Sequence, residues 1–144
     1  NKKYVDLLLP INQLDKLIKN SDFIAIACPL TPLTENMIDK SIFKLMKDSA
    51  IIINTSRGKI INESDLIVAL KNKKIGGAAL DVFATEPINK KSSLFNFDNV
   101  LLSPHISGNF SNYQKKMIIQ FNDMLIKYRN NKALKNRVCK KRLY

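Results

Sequence analysis

Four side chains suited to charge or proton chemistry lie just beyond apolar runs. They are Arg57 in Asn54-Thr55-Ser56-Arg57-Gly58, Asp81 and Glu86 in Leu80-Asp81-Val82-Phe83-Ala84-Thr85-Glu86-Pro87, and His105 in Ser103-Pro104-His105-Ile106-Ser107-Gly108. His105 is the only histidine in the chain. A guanidinium grips a planar carboxylate in a two-point fork, an imidazole gives and takes protons near neutrality, and a carboxylate beside that imidazole tunes it. Oxidation or reduction of a hydroxy acid needs all three.

Short strands and amphipathic helices alternate along the chain, which argues for a parallel sheet covered by helices. Phe23-Ile24-Ala25-Ile26-Ala27 is a continuous apolar run stopped by Pro29 and Pro32 and is expected as a buried strand ending in a loop. From Glu35 to Met46 the residues Met37, Ile38, Ile42, Leu45 and Met46 keep helical spacing, with Ser41 able to cap a helix that begins within the stretch. Ala50 to Asn54 is the next expected strand. Asn62-Glu63-Ser64-Asp65 opens a helix whose apolar face is Leu66, Ile67, Ala69 and Leu70, ending in a lysine-rich turn. Gly76 to Leu80 and Asn99 to Ser103 are two further short strands, the second stopped by Pro104. From Asn112 to about Arg129, the residues Met117, Ile118, Phe121, Met124, Leu125 and Tyr128 make an apolar stripe along one long helix. One compact unit is the simplest division.

The 144 residues match one ordinary domain, and 45% hydrophobic residues suffice for a buried core. No apolar run approaches the roughly 20 residues of a membrane span. Asn1-Lys2-Lys3-Tyr4 leads into no signal-peptide core, so no membrane partner and a cytoplasmic location are expected. Cys28 and Cys139 fit no zinc or redox spacing and read as free thiols. The net charge of +12 raises the question of nucleic acid. Its lysines are scattered, apart from the groups Lys71, Lys73, Lys74 and Lys140, Lys141, Arg142, and no aromatic residues interleave them. A solvated surface without a nucleic-acid partner is the expectation.

Dinucleotide-binding units carry Gly-x-Gly-x-x-Gly after their first strand, whereas the four glycines here are Gly58, Gly76, Gly77 and Gly108. Other motifs are dense: Ser21-Asp22-Phe23, Cys28-Pro29-Leu30-Thr31-Pro32, Ile53-Asn54-Thr55-Ser56-Arg57-Gly58, Ala79-Leu80-Asp81-Val82-Phe83, Glu86-Pro87, Asn99-Val100 and Ser103-Pro104-His105. In order and spacing, from about Val5 to Gly108, the chain resembles the D-isomer-specific 2-hydroxyacid dehydrogenases, the family of phosphoglycerate dehydrogenase and glycerate/hydroxypyruvate reductase. The resemblance implies an α/β fold with a Rossmann-like parallel sheet and flanking helices. It also implies that the sheet is incomplete, being the second half of an NAD-binding domain followed by a long C-terminal helix. Residues 1–110 would form that half, 111–130 a helix returning to the substrate domain, and 131–144 a basic tail ending in Lys141-Arg142-Leu143-Tyr144. The glycine loop, the ribose-binding acid and most of the substrate domain would then precede Asn1, in a longer protein or in the other part of a truncated or split gene.

The resemblance further implies hydride transfer between NAD(H) and a small D-2-hydroxy acid, phosphoglycerate- or glycerate-like, with the 2-oxo acid on the other side of the reaction. Arg57 would anchor the substrate carboxylate, although an isolated Ser-Arg-Gly reads as a surface turn. His105 would exchange the hydroxyl proton, and Glu86 would orient it and raise its pKa; alone, Glu86 before Pro87 reads equally as part of a polar turn. Asp81 would bind the nicotinamide carboxamide or else cap a helix or turn. Cys28, Thr55, Ser56, Arg57, His105, Ser107 and Gly108 match cofactor-contacting positions, with Cys28 lining the site rather than attacking. No metal is implied. The whole family member is expected to be a homodimer, while 144 residues alone should be weakly active or inactive. A non-catalytic, corepressor-like interaction protein on the same fold is the alternative.

Overall fold

Isoleucine-rich runs bounded by prolines, asparagines and glycines set four short strands, because β-branched side chains suit the pleated, covered surface of a sheet. The computed structural model describes residues 4–141; Asn1, Lys2 and Lys3 at the start, and Arg142, Leu143 and Tyr144 of the basic tail, lie outside the described residues. The chain divides between His105 and Ile106 into two compact units, where the sequence suggested one.

In the first unit the elements run α1 (Leu14–Asn20), β1 (Phe23–Ile26), α2 (Lys40–Leu45), β2 (Ile51–Asn54), α3 (Glu63–Lys71), β3 (Gly77–Leu80) and β4 (Val100–Leu102). The sheet is wholly parallel in the order β1-β2-β3-β4. Its register aligns Ile26 with Asn54, Asn54 with Leu80, and Leu80 with Leu102, so all four strands end at one level. The ladder continues one step further, with Asp81 N–H donating to Asn54 O and Ser103 N–H to Leu80 O, both at 3.0 Å.

Alternate strand residues Ile24, Ile26, Ile52, Ala78 and Leu80 pack with Ile18 of α1, Phe43 of α2 and Leu66, Ala69 and Leu70 of α3 in one core. Burying side chains such as Phe43, Ile18, Ile52 and Leu66 stabilises the unit by about 1.5–3 kcal/mol each. On the opposite face Phe23 remains 67% exposed and Leu101 71% exposed. The first apolar run is therefore a strand covered on one face only, not the fully buried strand its composition suggests.

Two local features depart from expectation. One element, α1, has no counterpart among the expected helices: it is a two-turn helix whose one fully buried residue is Ile18. At α2 the cap is Asp39 rather than Ser41: Asp39 Oδ1 accepts the backbone N–H groups of Ser41 (2.8 Å) and Ile42 (3.2 Å) and the Ser41 hydroxyl. Asp39 stands just before the helix, where a short acceptor meets the unpaired N–H groups of the first turn. Ser41 lies one position too far in. The expected cap at Asn62 does form, its side chain accepting Asp65 N–H at the start of α3.

The second unit carries α4 (Tyr113–Arg129), which has no buried residue. Its stripe of Met117, Ile118, Phe121, Leu125 and Tyr128 is exposed rather than core. Phe110 packs edge-on against Tyr113, and the Lys116 ammonium sits over the Phe110 ring. Among the described residues no helix is long and apolar enough to cross a membrane.

The Asp39 carboxyl titrates below the ordinary carboxylate value, chiefly because the Ser41 hydroxyl donates to it, with the two backbone donors adding. Its stabilisation is therefore complete above the unfolded carboxylate pKa and lost as pH falls through the lower folded value. Asp39→Ala should cost about 1 kcal/mol at neutral pH and progressively less in acid. Urea unfolding at several pH values checks this, and a deficit that does not shrink in acid would refute it.

Candidate active site

Because the strands end in register, the residues just past them converge on one edge of the sheet. Cys28 follows β1, Ser56 and Arg57 follow β2, Asp81 follows β3, and Ser103 and His105 follow β4. In parallel sheets this carboxyl edge is where ligands bind.

Asn54 shapes the first of these loops. It is 0% exposed, at the end of an otherwise isoleucine strand, and both ends of its amide are used. Its Nδ2 donates to Arg57 O at 2.9 Å and its Oδ1 accepts Ser56 N–H at 3.1 Å. The loop thereby folds back on the strand end, and the Ser56 hydroxyl ties it to Cys28 O in a short hydrogen bond. Cys28 contributes its carbonyl here, and both cysteines are free thiols. Thr55 and Arg57 are exposed on this loop, and Arg57 Nη1 donates to Ser56 O at 2.7 Å.

Asp81 is buried and accepts the Ser103 hydroxyl, which joins the ends of β3 and β4 by side chains as well as by main chain. An acceptor-rich carboxylate at this edge suits an amide N–H donor. Beyond Asp81 the chain turns so that Phe83 N–H donates to Glu86 Oε1 at 3.0 Å. The other carboxylate oxygen, Oε2, meets His105 Nδ1 at 2.7 Å. An ionised carboxylate only accepts, so Nδ1 carries the proton of this bond and Nε2 takes no part in it. His105 has φ 55°, in the left-handed region that non-glycine residues seldom enter.

The pair stands at the surface, with the His105 side chain 47% and the Glu86 side chain 36% exposed. It borders a cleft of about 430 Å³ lined by Phe83, Glu86, Pro87, Ile88, Pro104 and His105, a size typical of small-molecule sites, about 300–1,000 Å³. The Glu86 carboxyl is held below the ordinary carboxylate value, first by the hydrogen bond from His105 and then by Phe83 N–H. The charges of His105 and Arg57 add to this, while burial opposes it.

The structure thus brings Cys28 and Ser56 into contact, joins Asp81 to Ser103, and pairs Glu86 with His105. Ser107 and Gly108 fall in the second unit, in the turn that Asn109 N–H closes onto Ile106 O at 2.9 Å. The sequence reading assigned no role to Asn54, Ser103 or Glu63, whose carboxylate accepts Ala84 N–H at 3.1 Å. Asn54 carried a signal, as a polar residue closing an apolar strand. Ser103 and Glu63 carried none beyond position.

The sequence model of the family "D-isomer specific 2-hydroxyacid dehydrogenase, NAD binding domain" matches residues 1–107. The chain is 46% identical over 95 residues to the hydroxypyruvate reductase of Blautia hydrogenotrophica, covering 66% of this chain and 30% of that protein. It is 38% identical over 132 residues to D-3-phosphoglycerate dehydrogenase 1 of Saccharomyces cerevisiae, covering 83% of this chain and 28% of that protein. The chain spans 21% to 38% of the length of the curated relatives set beside it. Among solved structures it superposes on a D-isomer specific 2-hydroxyacid dehydrogenase from Xanthobacter autotrophicus in complex with NADPH and MES. The TM-score is 0.86 and the identity 28%, covering 92% of this chain and 54% of that one. The NADPH-dependent glyoxylate/hydroxypyruvate reductase of Sinorhizobium meliloti, in complex with NADP and sulfate, gives a TM-score of 0.85 at 26% identity, covering 92% of this chain and 43% of that one.

Loss of the imidazole removes the largest influence on Glu86. In His105→Ala the Glu86 carboxyl should therefore titrate higher than in the parent, while Phe83 N–H still keeps it below the ordinary value. Carbon-detected NMR of the Glu86 carboxyl across acid pH reads this directly. A midpoint indifferent to His105 would show that the two groups do not pair in solution.

Proposed function

We propose, from the premise that this chain belongs to the D-isomer specific 2-hydroxyacid dehydrogenase family, that Arg57, Glu86 and His105 are the catalytic set for interconverting a small D-2-hydroxy acid and its 2-oxo acid. The relatives' names point to glyoxylate, hydroxypyruvate or phosphoglycerate chemistry. The observation that carries the reading is the 2.7 Å Glu86–His105 contact on the rim of a cleft of small-molecule size.

The Arg57 guanidinium binds the substrate carboxylate by two parallel hydrogen bonds, displacing its own contact to Ser56 O. Binding at the carboxylate fixes the neighbouring carbon and turns its hydroxyl or carbonyl oxygen toward His105. In oxidation His105 Nε2 takes the hydroxyl proton, and the imidazolium formed is stabilised by Glu86. In reduction the same proton goes back to the developing alkoxide. Glu86 stays ionised throughout and holds the ring at Nδ1.

The residues fit the nicotinamide end of a dinucleotide, NAD or NADP. Cys28, Thr55, Ser56 and Asp81 stand at the carboxyl edge of the sheet, and Asp81 offers a carboxylate for a carboxamide N–H. Held there, a nicotinamide would supply the acceptor or donor for the hydride at the reacting carbon. The 144 residues contain no Gly-x-Gly-x-x-Gly, so the backbone N–H groups that usually cradle the pyrophosphate have no counterpart in them. Full activity accordingly belongs to an assembly in which that loop is present.

Glyoxylate added to the isotope-labelled chain should shift the amides of Ser56, Arg57 and Gly58 and the ring signals of His105, and Arg57→Gln should abolish the amide shifts. Shifts that survive Arg57→Gln would remove Arg57 from the anchor role. With NADH and hydroxypyruvate, the chain by itself should turn over little or nothing in a spectrophotometric assay. An ordinary enzyme rate, about 1–1,000 per second, would refute the need for the glycine loop.

A further inference from the structure

One peptide group, Phe83–Ala84, lies where three parts of the site meet. Gly58, next to the carboxylate anchor Arg57, presses against it: a Cβ on Gly58 would stand 1.9 Å from Phe83 C and 2.0 Å from Phe83 O. No side chain fits there, since those neighbours are backbone. Two carboxylates of different origin take the N–H groups at this point. Glu86 Oε1 accepts from Phe83 at 3.0 Å, and Glu63 Oε2 accepts from Ala84 at 3.1 Å. Glu63 lies in the first turn of α3, 21 residues from Ala84, on an element fixed by the core residues Leu66, Ala69 and Leu70 and by its Asn62 cap.

The consequence is mechanical. The segment 83–86 leaves the sheet after Asp81 and carries Glu86 to His105, and a loop of this kind has no ladder to hold it. Its only long-range polar tie to a helix among the described residues is the one from Ala84 to Glu63. A negative charge in the first turn also suits the helix dipole, so α3 itself is not strained by holding it. We propose that Glu63 is a positioning residue: by holding Ala84 N–H it fixes the turn that aims Glu86 at His105, and with Gly58 it couples that turn to the loop bearing Arg57. The importance of the role for turnover rests on reading Glu86 and His105 as the acid–base pair. The geometry itself does not.

Two variants separate positioning from folding. Glu63→Asp keeps the charge at the helix N-terminus but is shorter by one methylene, about 1.5 Å, and cannot reach Ala84. Glu63→Gln keeps the reach and an acceptor oxygen. The groups facing Glu86 are His105 from the loop after β4 and Arg57 from the loop after β2, and neither variant alters them. Carbon-detected titration of the Glu86 carboxyl and amide hydrogen exchange at Ala84, both on the 144-residue chain, need no turnover, so their failure is distinct from failure of the catalytic reading. In Glu63→Asp the Ala84 amide should lose protection and the Glu86 midpoint should rise as its contacts to Phe83 N–H and His105 loosen. In Glu63→Gln both should return to the parent values, because the acceptor oxygen again holds Ala84 N–H and the groups facing Glu86 are unchanged. An unchanged Glu86 midpoint in Glu63→Asp, an equal rise in both variants, or loss of amide dispersion in either would overturn positioning and leave Glu63 a purely structural residue.

Discussion

The level at which the four-strand ladder stops governs the geometry of everything beyond it. Ile26, Asn54, Leu80 and Leu102 stand side by side, and the ladder gains one further rung through Asp81 N–H and Ser103 N–H. Slippage of one residue in any strand would move its alternate side chains to the opposite face. That would take Ile24, Ile52 or Ala78 out of the core they share with the helices. The apolar pattern thus locks the register, and the register in turn sets which loop residues meet. The geometry of the edge is a consequence of core packing several residues away.

Asn54 marks the transition between the two regimes. Inside the strand the main chain is satisfied by its neighbours; outside it, the backbone groups of Ser56 and Arg57 need partners that a sheet cannot supply. The buried amide supplies them, accepting from one and donating to the other. An amide so placed without both bonds would cost about 1–3 kcal/mol per unsatisfied group, so Asn54 and the loop conformation specify each other. Ser103 and Asp81 join the ends of β3 and β4 to each other, hydroxyl to carboxylate. At this edge Asn54 and Ser56 hold main chain, while Arg57 and His105 remain exposed beside them.

The same physics explains what could be read from the sequence. Four apolar runs with breakers after them disclosed four strands, and Asn62 followed by acids disclosed α3. Arg57, Asp81, Glu86 and His105 were visible as the few chemically able residues at strand ends. Contacts between distant positions were not: Glu63 to Ala84 and Ser56 to Cys28 close only after the strands align. The α2 cap is Asp39 and not the expected Ser41, because the backbone decides which short acceptor meets the open N–H groups. The stripe of α4 was legible as a stripe but not as exposed, since periodicity states that a face is apolar and not what covers it.

An exposed ion pair contributes little to stability in water, where solvent screens the charges and long side chains lose freedom to meet. The Glu86–His105 contact is half exposed, so its value lies in orientation rather than in holding the fold together. That orientation is set mostly by main chain. Phe83 N–H fixes one carboxylate oxygen, the Ala84 peptide is held in turn by Glu63, and His105 enters from a left-handed backbone position whose N–H bonds Ser103 O at 3.1 Å. A pair aligned in this way before binding needs no rearrangement when a ligand fills the cleft and excludes water. The interaction then strengthens, because the same Nδ1–H to carboxylate bond lies in a medium of lower dielectric constant. On the proposed reading, an imidazolium formed by proton uptake would be stabilised most when the reactant is in place.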